Sequence, residues 1–173
     1  MSVTAVLITR EASYPRDIKI DFPFDEVLIE TDCPNVLRRF ELAEKASSDI
    51  IYVQDDDAEI DIHALWSHYN GHLTNAMSEF HLQAYAGTGV TLVGWGAFFP
   101  KSVINFEPWQ KRYGAVDEME ADRIFTYFAR PHNSILMPIR EVRRSVRMSA
   151  RVDHYSIRDS IIRQLKDITC VCQ

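Results

Sequence analysis

At 173 residues, 46% hydrophobic and 25% charged, the chain has the size and balance of one globular domain with a single core. A formal charge of -6 argues against a polycation that coats nucleic acid, and no apolar run is long enough for a bilayer-spanning helix. Three cysteines, Cys33, Cys170 and Cys172, are too few and too irregularly spaced for a disulfide framework, which fits a reducing cytoplasm.

The N-terminus, MSVTAVLITRE, carries no basic leader and reads as a first strand rather than a signal peptide. Residues 3–10 form a short unbroken apolar run, the pattern of a buried strand, and residues 25–31 repeat it. Between them YPRDI reads as a loop. DCPN, residues 32–35, has turn chemistry, and Asn35 is a good helix N-cap for the periodic stretch that follows through Phe40 and Ala43. DIIYVQ, residues 49–54, is a third strand. Residues 61–77 read as a helix weakened by Gly71, and 91–104 mixes strand formers with Gly94 and Gly96. Residues 118–132 predict a helix ending before Pro131. An arginine-rich segment, 140–151, then precedes a final amphipathic helix over 154–168. Strands alternating with helices predict one α/β domain over 1–173, with a mostly parallel sheet flanked by helices.

The third strand ends in Asp55, Asp56 and Asp57. Ligands of open α/β sheets bind beyond the carboxyl ends of strands, and clustered carboxylates become tolerable when a hard divalent cation neutralises them. The plainer reading is a solvated acidic turn. A calcium loop is excluded, because Ile60 stands where that loop needs glycine and Trp66 where it needs its bidentate glutamate. His63, His68 and His72 lack the spacing of a zinc set. Neither a Gly-x-Gly-x-x-Gly turn nor a Gly-Lys-Ser phosphate loop is present.

The order of five segments, PNVLRRF, DIIYVQDDD, VGWGAFF, EMEADRIF and DHYSIRDSII, resembles the GT-A glycosyltransferases with a DxD motif. The similarity is greatest to small exostosin-like and family 2 types, over residues 3 to 165. It implies a GT-A-like, Rossmann-like fold and Mn²⁺ or Mg²⁺ as cofactor. Asp57 and His154 would be metal ligands, with Asp55 meeting the metal or the donor ribose and Asp56 between them, donor-binding or only shaping the turn. Thr9, Arg10, Glu11, Asp32 and Arg39 would contact the nucleotide, and Gly94, Trp95 and Gly96 the donor sugar and acceptor. The resemblance implies Asp122 as catalytic base, with Glu120 as rival because Ala121 replaces the family's preceding acid. Both are also ordinary acids of a helix start, favoured by the helix dipole.

Arg158, Arg144 and Arg147 would serve the diphosphate or acceptor, although an arginine run is also an ordinary solvated face. The implied reaction moves a sugar from a nucleotide-diphosphate donor, UDP by resemblance, to a hydroxyl. The acceptor is a saccharide or a hydroxymethylated pyrimidine in phage DNA, where Lys111, Arg112 and the arginine segment would grip the backbone. A nucleotidyltransferase and a non-catalytic nucleotide-binding domain are the alternatives.

Overall fold

The computed structural model describes residues 1–15, 18–142 and 154–171, and its account excludes the side chains at 154, 155 and 169–171. Six strands form the main sheet: β1 (Val3–Ile8), β2 (Glu26–Glu30), β3 (Ile50–Asp55), β5 (Leu73–Met77), β6 (Ala97–Pro100) and β7 (His132–Leu136), in the order β2-β1-β3-β6-β5-β7. β4 (Ala58–Glu59) pairs separately with β8 (Arg140–Glu141). The pairings β2/β1, β1/β3 and β5/β7 are parallel, while β6 runs against both neighbours. The sheet is therefore mixed but mostly parallel, as the alternation of elements predicts.

Both faces are covered, which is why β1 is buried at every position and reads as a continuous apolar run. On one face Val6, Ile51 and Phe99 pack with Phe40 and Ala43 of α1 (Arg38–Glu44), Trp109 of α4 (Glu107–Tyr113), Ile124 and Phe125 of α5 (Ala121–Phe128), and Leu165 of α6 (His154–Val171). On the other, Val3, Ala5, Tyr52 and Phe98 meet Ile62 and Leu65 of α2 (Ile62–Ser67), with Phe22 and Phe24 from the loop before β2. α3 (Glu79–Tyr85) follows β5.

The helix expected over 61–77 is half helix and half strand. Asp61 caps α2 by accepting from the Ala64 amide at 2.9 Å, Gly71 turns the chain at φ +88°, and residues 73–77 become β5. Two polar residues, Thr74 and Asn75, disguise that strand. Both are fully buried, and Asn75 is satisfied by Thr91 (2.9 Å) and Ser134 (3.0 Å). The helix expected from Asn35 begins at Arg38, with Asn35 Oδ1 accepting from the Arg38 amide at 3.3 Å. The final helix runs on to Val171.

From β1 the chain leaves to β2 on one side and returns through α1 to β3 on the other. The β1/β3 boundary is thus the switch point, where doubly wound sheets open a crevice at their carboxyl ends. Thr9 and the three aspartates lie at that boundary.

Candidate functional site

Every residue of the acidic turn is tied to another segment. The Asp55 amide donates to the Gly94 carbonyl (2.6 Å), and the Asp55 carbonyl accepts from the Tyr14 hydroxyl (3.0 Å). The Thr9 hydroxyl donates to Asp56 Oδ2. The Asp57 carbonyl accepts from the Val142 amide (2.7 Å), and Gln54 Nε2 closes the turn on the Ala58 carbonyl (2.7 Å). A solvated turn needs no such set of partners, and its shape is over-determined by the fold.

Arg39 is fully buried, and its guanidinium lies between two carboxylates. Nη2 donates to Asp55 Oδ1, and Nη1 is 3.4 Å from Asp122 Oδ2. The aspartates at the end of β3 and in the first turn of α5 thus share one cation across 67 positions of sequence (122 minus 55). Burial pushes the Asp55 carboxyl up to about 7; Arg39 opposes the shift, while Asp122, Asp57 and Asp56 add to it. Burial also raises Asp122, against the pull of Arg39 and Arg123. Among the described residues, buried Asp122 Oδ1 and Arg39 Nε have no hydrogen-bond partner, so the cluster retains unmet polar capacity.

The entrance to α1 and the start of α5 are held together around this cluster. Asn35 Nδ2 donates to Glu118 Oε2 (2.8 Å), and the Leu37 amide to the Glu118 carbonyl (3.1 Å). Arg10 bridges the same two segments, with Nη2 donating to the Pro34 carbonyl (3.2 Å) and lying 3.8 Å from Met119 Sδ.

Gly94 stands where a side chain cannot. A Cβ there would run into the Asp55 carboxylate, with Asp55 Cγ at 2.9 Å. Gly96 has φ +119°, and a Cβ there would meet Ile60 and the Tyr52 hydroxyl, the latter at 3.0 Å. Trp95 between them is half-buried, edge-on to His81 with centroids 4.3 Å apart. Gly94→Ala is expected to cost about 1–3 kcal/mol by overpacking, because Asp55 is held by Arg39 and has little room to yield. A urea titration measures it, and an unchanged midpoint would count against the close approach.

Glu120 does not join Asp122. It is 2% exposed and pairs with Arg123, which also reaches the Tyr85 hydroxyl at 3.4 Å. Glu11 and Asp32 meet through the backbone, the Asp32 amide donating to the Glu11 carbonyl at 3.1 Å; Asp32 is exposed at φ +54°. Arg158 binds its neighbour Asp159 (2.8 Å) and lies 5.8 Å from the Tyr85 ring centroid. Arg144, Arg147 and the His154 side chain lie outside the described residues.

Among the described residues no three His, Cys, Asp or Glu side chains form a metal-holding group. Asp55 and Asp57, two positions apart on one tight turn, still offer the carboxylate oxygens a hard divalent cation takes, though one Asp55 oxygen is engaged by Arg39. Tyr14, Gln54 and Glu118 carry no sequence signal, since their roles are contacts with backbone or with residues distant in sequence. The burial of Arg39 has one weak sequence signal, its place beside Phe40 on the apolar side of a helix.

No protein-family model matches the chain, and no curated protein matches it in sequence. No helix among the described residues is long and apolar enough to cross a membrane.

Proposed function

We propose that this chain is a metal-dependent glycosyltransferase of the GT-A type, moving a sugar from a nucleotide diphosphate to an acceptor hydroxyl. The observation that carries the reading is the Asp55–Arg39–Asp122 bridge beside the acidic turn at the β1/β3 switch point. It joins a metal-capable turn to a second carboxylate whose buried Oδ1 has no hydrogen-bond partner among the described residues.

In this reading Asp57, with Asp55 and the imidazole of His154, holds Mn²⁺ or Mg²⁺. When bound, the cation stabilises negative charge on the departing diphosphate. Arg10, Glu11 and Asp32 would contact base and ribose, while Thr9, fully buried with its hydroxyl engaged by Asp56 and the Glu11 amide, would support them from beneath; UDP is the expected nucleotide. Arg144, Arg147 and Arg158 supply positive charge to the diphosphate or acceptor. Trp95 offers a ring face to the sugar or acceptor.

The acceptor oxygen attacks the anomeric carbon, the bond from that carbon to the diphosphate oxygen breaks, and the hydroxyl proton passes to Asp122. Burial raises the proton affinity of Asp122 and suits it to that task, while Arg39 stabilises its charged form before the transfer. Glu120, committed to Arg123, is the weaker candidate for base. The acceptor is a saccharide or a hydroxymethylated pyrimidine, and a steep fall of acceptor affinity with salt would mark the nucleic acid.

Calorimetric titration of UDP, GDP and CDP, with and without Mn²⁺, tests the proposal. Metal-dependent binding of one nucleotide is expected, and its loss in Asp57→Ala. Failure of the folded wild type to bind any of the three would remove the transferase reading.

A further inference from the structure

We propose a division of labour within the acidic turn: Asp56 is a positioning residue acting through the Thr9 hydroxyl, which leaves Asp55 and Asp57 to meet the ligand. This rests on the donor-site reading above. It assigns Asp56 and Thr9 a task different from nucleotide contact.

Asp56 is 9% exposed and Thr9 fully buried. Their hydrogen bond spans 47 positions of sequence and crosses the switch point from the end of β1 to the end of β3. Thr9 is a fixed anchor, because its amide donates to the Glu30 carbonyl (3.0 Å) and its carbonyl accepts from the Cys33 amide (2.9 Å). Its hydroxyl is used in both senses, donating to Asp56 and accepting from the Glu11 amide at 3.0 Å. One oxygen therefore ties the loop after β1 to the turn after β3.

A buried carboxylate facing a hydroxyl donor makes a charge-assisted bond, and leaving it to contact a ligand would strand that hydroxyl. The flanking aspartates differ in exposure, although Asp55 gives one oxygen to Arg39. Both are more exposed than Asp56, and their backbones are held by Tyr14, Gly94 and Val142 while the middle side chain sets the roll of the turn. Supporting groups of this kind act on a metal through geometry rather than by ligation.

The test separates hydrogen bonding from charge. Asp56→Asn keeps an oxygen that accepts from Thr9, and Thr9→Ser keeps the hydroxyl; Asp56→Ala and Thr9→Val remove the bond. Mn²⁺ affinity is read from loss of the free-ion electron paramagnetic resonance signal, with and without UDP, on protein whose fold is checked by circular dichroism. Asp56→Asn and Thr9→Ser should stay within about threefold of wild type, while Asp56→Ala and Thr9→Val each weaken binding by about tenfold or more. The double variant Thr9→Val/Asp56→Ala should be no weaker than either single change, because one interaction is lost only once.

Three results would overturn the assignment. Asp56→Asn losing as much affinity as Asp57→Asn would make Asp56 a ligand. A lower melting temperature in Thr9→Val with unchanged Mn²⁺ affinity would make the bond merely structural. A folded wild type that takes up no Mn²⁺, alone or with UDP, would remove the donor-site reading and this assignment with it.

Discussion

Arg39→Met is expected to destabilise the protein by about 3–5 kcal/mol at neutral pH, the usual cost of leaving buried charge without its partner. The guanidinium is wholly buried, and both Asp55 and Asp122 depend on it. Without it the two carboxylates keep their partial burial and lose their shared cation. Burial already raises both above their ordinary value against the pull of Arg39, and removal of Arg39 raises both further. The folded variant then holds protons that the unfolded chain has released, so its deficit grows as pH rises and shrinks on acidification. Urea unfolding of wild type and variant at pH 7.5 and pH 4.5 measures this. An equal deficit at both pH values would show that packing, not charge, is what Arg39 supplies. The cluster is not a stability optimum, since Arg39 Nε and Asp122 Oδ1 go unpaired among the described residues. Replacing Arg39, Asp55 and Asp122 together by neutral residues of similar shape should therefore recover much of the loss.

Asp55→Asn is expected to act in the opposite direction on stability while abolishing nucleotide binding. The Asp55 carboxyl has an ordinary value of 3.8 and is held near about 7 in the fold, chiefly by burial. Between these values the folded state binds more protons than the unfolded state, so stability falls as pH rises through the window and is lowest above it. Asparagine resembles the protonated side chain and escapes that penalty, while its amide oxygen can still accept from Arg39 and Asp122 remains as the counter-ion of the buried guanidinium. With 29% of the Asp55 side chain reaching solvent, the gain is about 2 kcal/mol above pH 7 and vanishes below pH 4. Unfolding curves from pH 4 to pH 8 would display it as a widening gap between variant and wild type. A variant no more stable than wild type at pH 8 would contradict the burial argument. The proposed function explains why such a residue is kept: a carboxylate that weakens the empty fold is stabilised when a cationic ligand arrives.

The elements that could be read from sequence share a physical cause. β1 and β3 announce themselves because a strand covered on both faces must be apolar nearly throughout, while the edge strand β2 is legible from its Val27-Leu28-Ile29 run although Val27 and Ile29 face solvent. α6 is legible because Ile161, Leu165 and Ile168 recur at helical spacing on its buried side. β5 is hidden, since Thr74 and Asn75 look like helix or loop residues until the fold buries both, with Thr91 and Ser134 satisfying Asn75 from other segments and the His72 carbonyl accepting from Thr74. α3, α4 and β7 are only five to seven residues long, too short for periodicity to stand out.

The same division runs through the site. Sequence alone determined that three carboxylates end a buried strand, that glycines flank Trp95 and that acids begin a late helix, because these are local choices of residue type. Tertiary structure alone decided which carboxylates belong together. Asp55 and Asp122 became one cluster because α1 delivers a buried guanidinium between them; Glu120, two positions from Asp122, was turned away to Arg123. Asp56 was turned inward because β1 ends beside β3 and offers the Thr9 hydroxyl there. Residue type limits what chemistry is available, but a pairing across tens of residues depends on which strands neighbour one another, and that follows from the packing of the whole sheet.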